Sequence, residues 1–214
     1  MSLLAREIRV TLDRGAGWLT ASVLFLAVAS LGAVGLGGQP DLLRAAGPGL
    51  AWAAVLLAVI CVAPALFARD AETGALDQMR LRGASRLALV GAKVGAVLLV
   101  VLVPVTLLSV GIAQLLFLTP GETARLLLAL ATGAPALASH AAMLGALTLR
   151  RGGSLLVGAL VLLPLLAPTL IFGVEAVTAE PLVGLEMQAL AGLSLIGTVV
   201  GCGGAVAALA AQDG

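Results

Sequence analysis

Few residues in this chain could do chemistry, and most of them stand in one stretch. Between Phe67 and Arg86 lie Arg69, Asp70, Glu72, Asp77, Arg80, Arg82 and Arg86, seven charges in a sequence that has only 12 basic and 11 acidic side chains. The other candidates are sparse. His140 is the single histidine, which excludes a multi-histidine metal site. It falls in the inner half of an apolar run, where an ionisable side chain is a functional candidate by default. A packed, hydrogen-bonded imidazole is the preferred reading, and a ligand or proton relay is the alternative. Lys93 stands in Gly91-Ala-Lys-Val-Gly95 without the glycine spacing or the following Ser or Thr of a phosphate loop, so nucleotide hydrolysis by this chain is not expected. The apolar runs contain no paired carboxylates, which weakens a proton- or sodium-coupled carrier. The absence of Tyr and the scarcity of aromatics leave little to stack a large flat ligand. What remains is the chemistry of docking.

The elements that must position these residues follow from composition. Hydrophobic residues make up 61% and charged residues 11%, with a mean hydropathy of +1.16. A soluble domain carries about 25% charge, so the chain is an integral membrane protein. Six segments reach the roughly 20 apolar residues of a spanning helix: about 18–36, 48–67, 87–118, 124–149, 154–174 and 188–210. None shows the alternation of barrel strands. The expected class is all-α, a single membrane domain over 1–214 with no separate soluble unit and a first span that is retained rather than cleaved. The third and fourth segments exceed the bilayer and should tilt, kink or project.

Basic residues set the orientation. A cytoplasmic N-terminus puts Arg6, Arg9, Arg14, Arg69, Arg80, Arg82, Arg86, Lys93, Arg150 and Arg151 on one side and only Arg44 and Arg125 on the other. That split predicts both termini inside. Residues 1–15 read as a basic amphipathic helix in the interface plane, with Leu4, Ile8 and Leu12 against Arg6, Arg9 and Asp13. Asp41 to Ala46 could form a short outer helix before Pro48-Gly49 opens the second span, with Trp52 near the outer interface. Residues 69–83 read as one amphipathic helix between the second and third spans. There Asp70 and Glu72 suit the N-terminal dipole, Arg80 and Arg82 suit the C-terminal end, Leu76 and Met79 share a face, and Gly83 stops the helix. Gly91 and Gly95, like Gly197 and Gly201, permit close helix approach. Pro164 and Pro168 bend the fifth span on one face, as a hinge or as fixed shape. Arg150-Arg151-Gly152 forms a second tight inner loop, and Glu175 to Gln188 forms a broken outer segment, re-entrant or superficial. Cys61 and Cys202 read as small hydrophobes.

Leu66-Phe-Ala-Arg-Asp70, followed by Glu72-Thr-Gly74-Ala-Leu76-Asp-Gln78-Met79, resembles the CcmB family, the membrane subunit of the haem-exporter ABC transporter of bacterial cytochrome c maturation. Pro48-Gly-Leu-Ala-Trp52 upstream strengthens the resemblance. So do Arg151-Gly-Gly-Ser-Leu-Leu and Leu163-Pro-Leu-Leu-Ala-Pro168-Thr-Leu-Ile-Phe172 downstream, in the same order over most of the chain. The resemblance implies an inner-membrane location, an ATPase partner (CcmA-like) that binds the ATP, CcmC-like and CcmD-like membrane partners, and release of a haem-loaded CcmE-like chaperone. The chain then reads as a transducer of ATP-driven motion, with haem a candidate transported species, His140 the only imidazole that could ligate it, and no cofactor assigned to the chain itself. The docking candidates become Asp70, Glu72, Gly74, Leu76, Gln78, Met79 and Arg80, with Leu76 and Met79 entering the partner. Arg150, Arg151 and Gly152 form a second contact. Neither nucleic acid nor metal is implied. The permease of a lipid or drug ABC exporter, or a non-transporting scaffold, would show the same docking logic.

Overall fold

The computed structural model describes residues 2–13, 16–81, 83–149 and 155–212, and the regular elements among them are all helical. In chain order they are α1 (Leu3–Asp13), α2 (Ala16–Gly35), α3 (Pro40–Val62), α4 (Ala65–Glu72), α5 (Ala75–Leu81), α6 (Arg86–Ala96), a π-helical stretch (Val97–Leu102), α7 (Val103–Leu115), α8 (Pro120–Thr148), α9 (Leu155–Thr178) and α10 (Leu185–Ala210). By length and composition five segments can cross a bilayer: Gly17–Gly35, Pro40–Glu72, Arg86–Leu115, Pro120–Thr148 and Leu185–Ala210. Leu162–Thr178 adds a shorter apolar helix. The chain is an all-α polytopic membrane protein.

α8 is the centre. Its start is fixed locally, because Thr119 and Glu122 exchange side-chain and backbone hydrogen bonds in a capping box and Pro120 takes the first helical position. Of its most apolar stretch 72% is buried, against 28% for α2 and for α10, which therefore turn broad apolar faces outward. α10 packs along α8 more extensively than any other pair. The reason is visible at Gly201, where a Cβ would come within 2.7 Å of Ser139. Lipid offers no hydrophobic force between helices, so such small-residue contacts carry the packing.

One expectation along the second span is corrected. Pro48 does not open a helix. α3 runs unbroken from Pro40 through it, and the Arg44 carbonyl, four residues back and deprived of its donor, belongs to an exposed residue near the helix start. Trp52 is held by packing between helices. It is 1% exposed, seated in a slot made by Gly133 of α8 and Gly173 of α9, where added Cβ atoms would meet the indole at 2.6 and 2.4 Å.

The third span is continuous through the π-helical stretch. Pro104 has no N–H to give the Val100 carbonyl, and the wider turn before it lets the Val103 N–H reach the Leu98 carbonyl, five residues back. On the far side of the bundle, α9 extends to Thr178 and α10 begins at Leu185, so the segment between them is a loop rather than a re-entrant or superficial helix. α9 itself is one helix with Pro164 and Pro168 exposed on one face. At the other end, Gly145 of α8 abuts Ala63 and Phe67. Gln212 donates to the Ala146 carbonyl at 2.9 Å. Both described chain ends therefore lie at the end of the bundle that carries α4 and α5.

Candidate docking site and its buried charge cluster

The charged stretch folds as two short helices rather than one. α4 ends at Glu72, Thr73 and Gly74 form the turn, and α5 begins at Ala75. Gly74 takes φ +67°, a left-handed conformation open to glycine at little cost, and Gly83 stops the segment at φ +82°. Asp70 and Glu72 consequently stand in the last turn of α4, where the dipole disfavours a carboxylate, not at a helix start.

Burial then divides the predicted docking residues. Leu76 is 5% exposed and belongs to the chain's own core, with Met79 packed against that core from its edge. The expectation that Leu76 enters a partner is corrected by this inward face, while half-buried Met79 still faces a groove beside α1. Glu72, Thr73 and Gln78 are exposed, and Leu81 is 88% exposed at the end of α5. Arg80 falls within α5, whereas Arg150, Arg151 and Gly152 lie outside the described residues. A groove of about 620 Å³ runs between α5 and the start of α1, lined by Ser2, Leu3, Arg6, Gln78 and Met79.

Asp70 points the other way, into a cluster that local sequence reading missed. Lys93 of α6 bonds Asp70 of α4 through Nζ, and the same ammonium lies 2.6 Å from Glu7 Oε2 of α1. Arg6 joins both carboxylates, with Nη2 donating to Asp70 Oδ1 at 3.1 Å and Nη1 donating to Glu7. Glu7, Asp70 and Lys93 are 3%, 6% and 7% exposed. The Phe67 ring covers the ammonium at 5.6 Å. Glu7, Asp70 and Lys93 alone would enclose one net negative charge, and the Arg6 guanidinium, on a side chain 30% exposed, completes the balance of two cations and two carboxylates from the cluster's edge. Burial penalises the Arg6 guanidinium, yet Asp70 and Glu7 outweigh that and hold it above its ordinary pKa. A cavity of about 140 Å³ adjoins the cluster, bordered by Glu7, Thr11, Leu66, Asp70 and Lys93. α1 is thus not merely laid on a bilayer. Leu4 fills the space over Gly95, and the ion cluster pins the next turn.

One signal was available for Glu7. It comes three residues after Leu4 and immediately before Ile8, on the face read as apolar.

His140 is 1% exposed in the α8–α10 interface, with its Cε1 within 3.2 Å of where a Gly197 Cβ would sit. Its Nδ1 lies 2.7 Å from the Ala136 carbonyl. A carbonyl only accepts, so Nδ1 carries the hydrogen and the buried Nε2 is left with a lone pair and no partner among the described residues. Those residues include no group of three or more His, Cys, Asp or Glu able to hold a metal. His140 and the docking turn are separate features and do not form one site.

Comparison with known proteins agrees with this architecture. The family model described as CcmB protein matches residues 1–213. Heme exporter protein B of Bradyrhizobium diazoefficiens is 35% identical over 215 residues, 97% of this chain and 96% of the relative. The protein of the same name from Paracoccus denitrificans is 37% identical, covering 88% of each chain. That of Pseudomonas aeruginosa is 40% identical over 83% of this chain and 80% of its own. A family-model match over residues 1–213, together with relatives 35–40% identical over most of the chain, shows that the chain belongs to the CcmB protein family.

Proposed function

We propose that this chain is the membrane subunit of a haem-exporting ABC transporter of cytochrome c maturation, and that it works as a transducer without hydrolysing nucleotide itself. The reading is supported by family membership and by one structural observation: an exposed two-helix turn, Glu72 to Leu81, continuous with the second and third spans. A separate ATPase subunit, CcmA-like, docks on that turn. CcmC-like and CcmD-like membrane subunits and a CcmE-like haem chaperone complete the assembly. The complex sits in the bacterial inner membrane with the turn and both chain ends in the cytoplasm. Support for the common side comes from the shared end of the bundle and from the basic residues gathered there.

Leu81 carries the test. Burying such a side chain in a partner contributes about 1.5–3 kcal/mol, and each 1.4 kcal/mol is about tenfold in affinity. Leu81→Asp should therefore reduce ATPase co-purification at least tenfold while membrane levels of the subunit stay normal. Leu76→Asp should instead lower the level of the subunit, because it forces a carboxylate into the chain's own core. Undiminished co-purification with Leu81→Asp would overturn docking at this turn.

A further inference from the structure

We propose that Lys93 is a positioning residue that, through Glu7 and Asp70, fastens α1 to α4 so that α1, α4 and the start of α6 move as one body when the docked ATPase acts. This rests on the reading of α4–α5 as the docking turn. Three observations carry it. First, the fully enclosed charges come from three different helices: Glu7 from α1, Asp70 from α4 and Lys93 from α6. Second, the charges are matched. A balanced buried cluster adds little stability over apolar residues of the same size, and its best-attested use is to specify one geometry. Third, the other contact in the same place is non-directional. Leu4 over Gly95 would allow α1 to slide or roll, whereas an ammonium held between two carboxylates permits one register only.

Glu7 itself argues for the role. A helix that merely lay in the lipid interface would gain nothing from a carboxylate on its buried face. Here that carboxylate reaches Lys93 and Arg6, and Arg6 also lines the groove facing α5. The N-terminal helix is therefore held where the turn's displacement passes directly into it and into the third span.

The test uses the assembled complex, with Cys61 and Cys202 replaced by Ala and with cysteines introduced by Ser2→Cys and Ala84→Cys, both positions on the groove and outside the Glu72–Leu81 docking turn. A short bismaleimide should join the pair in most molecules, and ATP hydrolysis by the joined complex should change less than twofold. Lys93→Met should lower the cross-linking yield at least fivefold, while Lys93→Arg keeps it within twofold. If Lys93→Met fails to accumulate, Glu7→Gln is the second variant and should lower the yield at least twofold. The proposal is overturned if the pair does not join with Lys93 intact, or if joining it costs tenfold or more in ATP hydrolysis. A wild-type yield in Lys93→Met or Glu7→Gln overturns it equally. An ATPase that co-purifies undiminished with Leu81→Asp would refute the docking reading and leave these cross-linking results standing.

Discussion

The two ends of the bundle use charge in opposite ways. At the end that carries the docking turn, Lys93, Asp70 and Glu7 have side chains only 8%, 7% and 4% exposed and tie three helices together. At the far end Arg44 grips Glu122 with both Nε and Nη2 at 3.1–3.2 Å, but Arg44 is 52% exposed. Arg125 donates to the Val177 carbonyl at 2.8 Å and lies 3.6 Å from Glu180, a residue whose side chain is 83% exposed. These far-end contacts join the start of α8 directly to its neighbours, each ion pair through one solvent-exposed side chain, where ionic strength screens it. Their partners cap and orient. The contacts at the α4–α5 end, shielded from water, tie α1, α4 and α6 together. Equal chemistry thus does unequal mechanical duty, and burial decides which.

The largest expected effect breaks the α4–α5 end. Lys93→Met leaves two enclosed carboxylates with only Arg6, and breaking a buried pair in this way costs about 3–5 kcal/mol. It should appear as a lower midpoint of heat-induced aggregation of the purified complex, and a midpoint unchanged from the parent would make the two ends equivalent. An intermediate effect is expected between the ends. His140→Leu removes the hydrogen bond to Ala136, worth about 0.5–1.5 kcal/mol net. His140→Asn, whose amide can donate from the same place as Nδ1, should recover most of it and leave c-type cytochrome production near normal. Loss of production by His140→Asn at normal protein level would assign Nε2 a direct role with haem or protons. The smallest effect belongs to the far end. Arg44→Gln should cost about 0.2–1 kcal/mol, and less as salt is raised. A loss matching that of Lys93→Met would erase the contrast.

Hydropathy made the spans legible, because a run of about 20 apolar residues carries its own meaning. The breaks at Gly74 and Gly83 differ in this respect. Gly83 was readable as a stop, while Gly74 was read only as a docking candidate although it divides the helix in two. The inward turn of Leu76 and of Trp52 was not readable, since spacing gives a face but not what the face meets. Glu7, Asp70 and Lys93 were hardest. Arg6 and Asp70 are 64 positions apart, and Lys93 and Asp70 are 23 apart. Each charge in isolation looks like solvated surface or an orienting residue, and only the fold reveals that they neutralise one another. The docking candidates form one contiguous segment, and only tertiary packing divides them inward from outward.

The π-helical stretch in the third span has a consequence for how that span can be read at all. Above and within it the buried stripe passes through Val90, Val94, Val97 and Val101. Continued in the same four-three alternation, an average of about 3.5 residues per turn, the stripe would run on through Pro104, Leu108, Gly111 and Leu115. The residues that are in fact enclosed are Val105, Ser109, Ile112 and Leu116, each one later. The span therefore holds two phases joined by a single extra residue. The upper phase aims Lys93 at its carboxylates, and the lower phase keeps α7 in contact with α2 and α8. A straight helix of the same composition could satisfy one set of neighbours and would present the wrong side to the other.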